Sequence, residues 1–187
     1  LIRLLVGLKV PPIVSLHSDS WNRLVHSGLR SRKVVPMSIT VLAIGKKHEK
    51  WAVDGIERYA QRLRKPYDLQ WKLLPHSSRE GDATRDEESG RLLGAIRTGD
   101  HVVLLDERGS NISSPALAEH LQGQFDAGRS VTAVIGGSYG VNSELRSRAD
   151  FTWSLSQLVF PHQLVRMVLT EQVYRAQEIS AGRPYHH

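Results

Sequence analysis

HVVLLDERGSNISSPALAEHLQGQFDAGRSVTAVIGG, residues 101–137, decides the fold. Its first seven residues have a continuous apolar centre, the mark of a strand covered on both faces. Ser113 or Ser114 can cap a helix whose apolar positions are Leu117, Leu121 and Phe125, closed by Gly128. Residues 130–137 form a second buried strand that ends in glycine. Buried strands joined through a helix run parallel, so this stretch predicts an α/β sheet.

The alternation continues on both sides. SITVLAIG (38–45) and DLQWKLLP (68–75) read as strands, with a helix between them that carries Trp51, Ile56, Tyr59 and Leu63 near helical spacing. SSREGDATRDEES (77–89) is polar and is expected to be a mobile surface loop ahead of a helix through Leu92, Leu93 and Ile96. VNSELRSRA (141–149) predicts a short helix, and FTWSLSQLVF (151–160) opens as a strand. Pro161 then precedes a long helix from His162 to about Ser180. The expected fold is α/β, a largely parallel sheet flanked by helices.

Composition bounds the function. The 187 residues are 40% apolar and 24% charged, which is globular composition. There is no cysteine, so a disulfide scaffold, a cysteine nucleophile and a thiolate zinc site are excluded. The nine histidines show no metal-ligand spacing, and no metal is expected. No apolar run approaches the roughly 20 residues that span a bilayer, so no membrane partner is expected.

The net charge of +6 is uneven. Residues 1–36 hold six basic residues and one acidic residue, whereas 37–187 hold 19 basic and 18 acidic. Bulk charge therefore does not mark the body as RNA-binding. Residues 1–36 are rich in Ser and Arg and lack a sustained period. They read as a transit peptide, as sequence upstream of a start at Met37, or as an added tail, and are expected to be disordered or non-native. Residues 37–187 form the expected single domain. The expected setting is cytoplasmic, or organellar if the leader is a transit peptide.

Three segments sit at strand ends, where ligands bind open α/β sheets. LLDERG (104–109) offers Asp106, which could hold a ribose, a metal or a water, or could simply cap its loop. IGGSYG (135–140) is a glycine loop without the spacing of a dinucleotide fingerprint. SLSQLVFPH (154–162) is an apolar bend whose bare amides could grip an adenine edge, or a turn held by Ser154 and Ser156. On the last helix, Glu171, Arg175 and Glu178 form one polar stripe, while His162 and Arg166 form another on a nearly opposite face.

These motifs, with the opening SITVLAIGKKHEKW and the terminal GRPYH, occur in an order and spacing that resemble the RlmH family of SPOUT-class RNA methyltransferases. The resemblance runs from Met37 to His187. It implies a C-terminal trefoil knot, a homodimer, and methyl transfer from S-adenosylmethionine to N3 of a pseudouridine in 23S ribosomal RNA of the assembled ribosome. It implies cofactor contacts at Leu105, Gly136, Leu155, Ser156, Gln157, Leu158, Val159 and Phe160. His162, Arg166, Arg175, Tyr185 and His186 are then the candidates for proton handling and substrate closure, and no one of them is singled out as the base. The sequence departs from the family at the last position, His187. The competing class is a non-catalytic nucleotide- or RNA-binding α/β module.

Overall fold

The computed structural model describes residues 37–185. The expectations for residues 1–36 and for His186 lie outside the described residues. Strands β1 (Ile39–Ile44), β2 (Leu69–Leu74), β3 (His101–Asn111), β4 (Val131–Ile135) and β5 (Phe151–Ser154) form one sheet in the order β2-β1-β4-β3-β5, every pair parallel. Helices α1 (Lys50–Ala60), α2 (Gly81–Ala95), α3 (Ser114–Asp126), α4 (Ser143–Arg148) and α5 (His162–Ser180) cover it.

Period-two alternation divides the core between the two faces. Val41, Ala43, Val103, Ala133 and Ile135 pack with Leu117, Phe125, Leu169 and Val173 of α3 and α5. Leu42, Ile44, Val102, Leu104 and Val134 face the other way, onto Leu92 of α2 and Leu145 of α4. This double burial is why the central strands read as unbroken apolar runs.

Helix boundaries follow their caps. Ser113 Oγ accepts the Ala116 N–H at the start of α3, and Pro115 occupies its first turn. Asn142 caps α4 by accepting the Leu145 N–H. Gly128, at φ +71°, follows α3 in a conformation that disfavours side chains.

Two expectations are corrected. Residues 77–89 are not a mobile loop, because α2 begins at Gly81 and buries Thr84, Glu88 and Ser89. Several of its polar residues find partners within the fold. Asp82 pairs with Arg85, Glu87 pairs with Arg91, and Ser89 Oγ accepts the Asn142 N–H. Trp51 does not share the buried stripe of α1 but is 53% exposed. Five residues of helix rotate it about 140° from Ile56, while Ala52 lies one turn from Ile56 and takes the inner position.

Strand β3 also runs further than its apolar centre. It continues to Asn111, with a register break against β5 between Leu105 and Ser110. Asp106–Gly109 thus form a bulged stretch of strand rather than a loop beyond it. Among the described residues, no helix is long and apolar enough to cross a membrane.

Candidate cofactor pocket and the residues around it

All five strands point their C-terminal ends the same way, and a cavity of about 360 Å³ opens there. Its walls come from the bulge of β3, the glycine loop after β4, the bend after β5, and the first turn of α5. Leu105, Gly136, Leu155, Ser156, Leu158, Val159 and Phe160 all line it, so three separated segments of sequence converge. Gln157 does not line it.

The bend is built by its own serines. Ser154 Oγ donates to the Ser156 carbonyl at 2.8 Å, and Ser156 Oγ accepts the Leu158 N–H at 3.0 Å. These bonds hold Leu158 and Val159 outward, 68% and 82% exposed. Exposed aliphatic side chains at a cavity mouth are the unusual feature, because a solvated turn has no use for them. The turn held by Ser154 and Ser156 is thus present, and the same segment lines the cavity.

Asp106 adopts the capping role. Its carboxylate accepts from Arg108 N at 3.0 Å and from Arg146 Nη1 at 3.0 Å, with its side chain 5% exposed. It ties the bulge of β3 to α4.

The glycine loop turns through a Gly140 N–H to Gly137 carbonyl bond, with Gly140 at φ +71°. A Cβ on Gly136 would lie 2.8 Å from Val141 Cγ1 and 3.4 Å from the Gly140 carbonyl. The demand for glycine at 136 is therefore met inside the loop itself. At Gly137 the neighbour is the Glu88 carboxylate of α2, which occupies the place a Cβ would take. Glu88 is 2% exposed, accepts the Ser77 N–H through Oε1 at 3.0 Å, and lies 3.6 Å from His76 Nδ1. Its Oε2 has no hydrogen-bond partner among the described residues. Sequence reading missed Glu88. The signal was its i, i+4 relation to Leu92, which sets it on the buried face of α2.

His162 lines the cavity from the start of α5. Burial, reinforced by the nearby Arg166 charge, lowers its pKa, with Glu88 opposing and His76 adding to the fall. The imidazole is thereby favoured in its neutral, proton-accepting form.

Arg166 does not reach the cavity. It is 1% exposed and donates from Nη2 to the Ile44 carbonyl at 2.7 Å and from Nη1 to the Lys47 carbonyl at 3.1 Å. A guanidinium held this way orders the chain leaving β1. A Cβ on Gly45, at φ +132°, would sit 2.8 Å from Nη2, so that glycine is required for the contact.

Arg175 and Tyr185 lie elsewhere. Arg175 is thirteen residues beyond His162, about 20 Å along the helix axis. It pairs with Glu171 at 2.7 Å and stands 4.9 Å over the Tyr185 ring. Tyr185 packs edge-on to Tyr174, and burial, with Tyr59 beside it, raises its pKa so that it keeps its proton. Glu178 leaves the Arg175 stripe to pair with Arg183 at 2.7 Å.

Residues 37–186 match the family described as predicted SPOUT methyltransferase. A curated protein of Desulfitobacterium hafniense named ribosomal RNA large subunit methyltransferase H is 40% identical over 158 residues, covering 80% of this chain and 99% of that protein. One of the same name from Acetivibrio thermocellus is 42% identical over 158 residues, with the same coverage of 80% and 99%. Among solved structures, the SpoU methyltransferase AviRb of Streptomyces viridochromogenes, in complex with AdoMet, has a TM-score of 0.42 and 16% identity over 78% of this chain and 59% of that one.

Proposed function

The chain belongs to the SPOUT methyltransferase family, and from that premise we propose that it transfers a methyl group from S-adenosylmethionine to N3 of a pseudouridine in 23S ribosomal RNA. The proposal includes a homodimer with the family's trefoil knot, the assembled ribosome as substrate, and the cytoplasm as the setting.

The observation that carries the reading is the convergence of Leu105, Gly136 and the 155–160 bend on one cavity. The lining fits the donor chemically. Leu158 and Val159 offer aliphatic faces to an adenine, and the glycine loop lets the backbone come close to a bent amino-acid tail. When bound, S-adenosylmethionine supplies an electrophilic methyl on a sulfonium.

The chain's own task is positioning, exclusion of water and management of one proton. Methyl transfer is an in-line displacement, so most of the acceleration comes from holding the nucleophilic nitrogen in line. The nitrogen at N3 carries a hydrogen that must leave. His162, neutral and at the cavity wall, is the described residue suited to accept it. Tyr185, protonated, is suited to donate a hydrogen bond to the developing negative charge. Arg175 lies too far along α5 to serve the cavity of its own chain, and Tyr185 packs on it from beyond the end of that helix, so in this proposal both serve the partner's.

The test is methylation of ribosomes from a strain that lacks this protein, with mass mapping of the product nucleotide. A methylated pseudouridine in the large-subunit RNA is expected. Binding of S-adenosylmethionine by calorimetry with no transfer to ribosomes would overturn the catalytic reading in favour of a non-catalytic module.

A further inference from the structure

Residues 45–51, GKKHEKW, leave the sheet at the end of β1. Strand β1 lies beside β4, with Ala43 opposite Ile135, and Ile135 and Gly136 belong to the cavity wall. The loop therefore emerges next to the glycine loop. It is also bound to the helix that bears His162. Gln163 Oε1 accepts the Glu49 N–H at 3.2 Å, and Arg166 binds the carbonyls of Ile44 and Lys47.

The charge of this segment is local, its three lysines outnumbering its one carboxylate, Glu49. Residues 37–187 contain five lysines, and three of them are Lys46, Lys47 and Lys50. All three are exposed, and none forms an ion pair among the described residues. Most arginines of the domain, by contrast, are paired with carboxylates, as Arg85, Arg91, Arg108, Arg146 and Arg175 are. Beside the lysines stands Trp51, 53% exposed, its indole N–H fixed on Glu49 Oε2 at 2.7 Å. Three unpaired ammonium groups and an open aromatic face, on backbone ordered by a buried guanidinium, match the needs of a nucleic-acid strand. Ammonium groups meet phosphates, and an indole stacks on a base.

We propose that the Lys46–Trp51 segment, the loop after β1 with the first turn of α1, is the RNA-positioning element of this enzyme, with Lys46 and Lys47 on backbone phosphates and Trp51 stacked on a base flanking the target. The proposal rests on the methyltransferase reading above and gives that site its substrate contact. It also explains how a domain of nearly balanced charge holds a polyanion. The attraction is concentrated at the rim of the cavity and not spread over the surface. Because Arg166 and Gln163 order the loop before binding, less entropy is lost when the strand docks.

The experiment uses full-length chain and ribosomes lacking the modification. Sedimentation measures ribosome affinity across a salt series, calorimetry measures S-adenosylmethionine binding, and ultraviolet cross-links from the wild-type complex are mapped by mass. A Lys46→Gln, Lys47→Gln double variant should lose roughly tenfold in ribosome affinity and flatten the log–log salt slope by about 1.5. Trp51→Ala should lose a similar factor with its salt slope unchanged. Cofactor binding should stay at the wild-type level in both. Unchanged ribosome affinity in the lysine variant overturns the proposal. So do cross-links that join the loop to a ribosomal protein in place of nucleotides. Because ribosome affinity is read without methyl transfer, failure of the loop assignment is separable from failure of the methyltransferase reading, which would show as wild-type protein that binds ribosomes and modifies nothing.

Discussion

The carboxylate of Glu88 lies against the Cα of Gly137, so the glycine loop of the cavity rests on an acidic side chain from α2. The contact joins a helix that does not line the cavity to the segment that does. Gly137→Ala would place a methyl group on the carboxylate. It should lower stability by about 2 kcal/mol and weaken S-adenosylmethionine binding. Combining it with Glu88→Ala should recover part of that loss, because the obstructing group is gone. A double-mutant cycle by denaturant unfolding checks this, and strictly additive losses would show that the two residues are not coupled.

Arg166 should behave as a structural arginine. Its removal leaves the buried Ile44 carbonyl and the half-buried Lys47 carbonyl without this donor. Arg166→Ala is expected to cost about 3 kcal/mol, and Arg166→Lys should restore only part of this, since an ammonium lacks the planar fork. Thermal unfolding of the two variants decides it. A variant of wild-type stability that cannot methylate would instead place Arg166 in the reaction.

Acid should destabilise the domain through a histidine pair, buried His101 and half-buried His120. His101 and His120 face each other, Nε2 to Nε2, at 2.9 Å, so one ring must donate and the other accept. Burial is the first cause lowering both pKa values, with Arg129 acting on both, and His120 also acting on His101 against the opposing Asp150. A folded pKa below the unfolded value of about 6.5 means that the unfolded chain binds more protons on acidification. Stability is therefore complete above about pH 6.5 and falls as pH drops below it. Tm measured at pH 7.5 and 5.5 should fall in the wild type and fall less in His120→Gln.

Composite active sites should show complementation. Gly136→Val forces a side chain against Val141 and spoils the glycine loop, while Arg175→Ala spoils the far end of α5. Each variant alone should be inactive. Mixed and exchanged, the heterodimer should regain one site with both halves intact, and some methylation should return. Heterodimers demonstrated by mass that stay inactive would count against Arg175 acting across the dimer.

Residues 1–36 should be dispensable for methylation. They carry most of the net charge but lie outside the family match, which begins at residue 37. A chain starting at Met37 is expected to fold and to methylate ribosomes at the full-length rate. Loss of transfer from a folded truncation would make the leader an RNA-binding arm.

The parallel α/β class, where each strand begins, a serine cap ahead of α3 (but not whether Ser113 or Ser114 supplies it) and the extent of α5 were legible in the sequence alone. Each depends on local pattern, such as an apolar run buried on both sides, an oxygen one residue ahead of a helix, or a proline at its start. The three strips of the cavity were legible as separate motifs. Their convergence depends on the strand order β2-β1-β4-β3-β5, which places the ends of β4, β3 and β5 side by side and which no local pattern encodes. Tertiary structure alone decided the fate of the charged side chains. Glu88 and Arg166 looked like surface or chemistry in the sequence, and each is instead buried and engaged within the fold, while Asp106, open to a ligand or a capping role, takes the capping one. A charged residue reads the same whether its partner is water, a ligand or a carbonyl more than a hundred residues away. The cost of burying its charge selects among these only once the chain has brought a partner within reach.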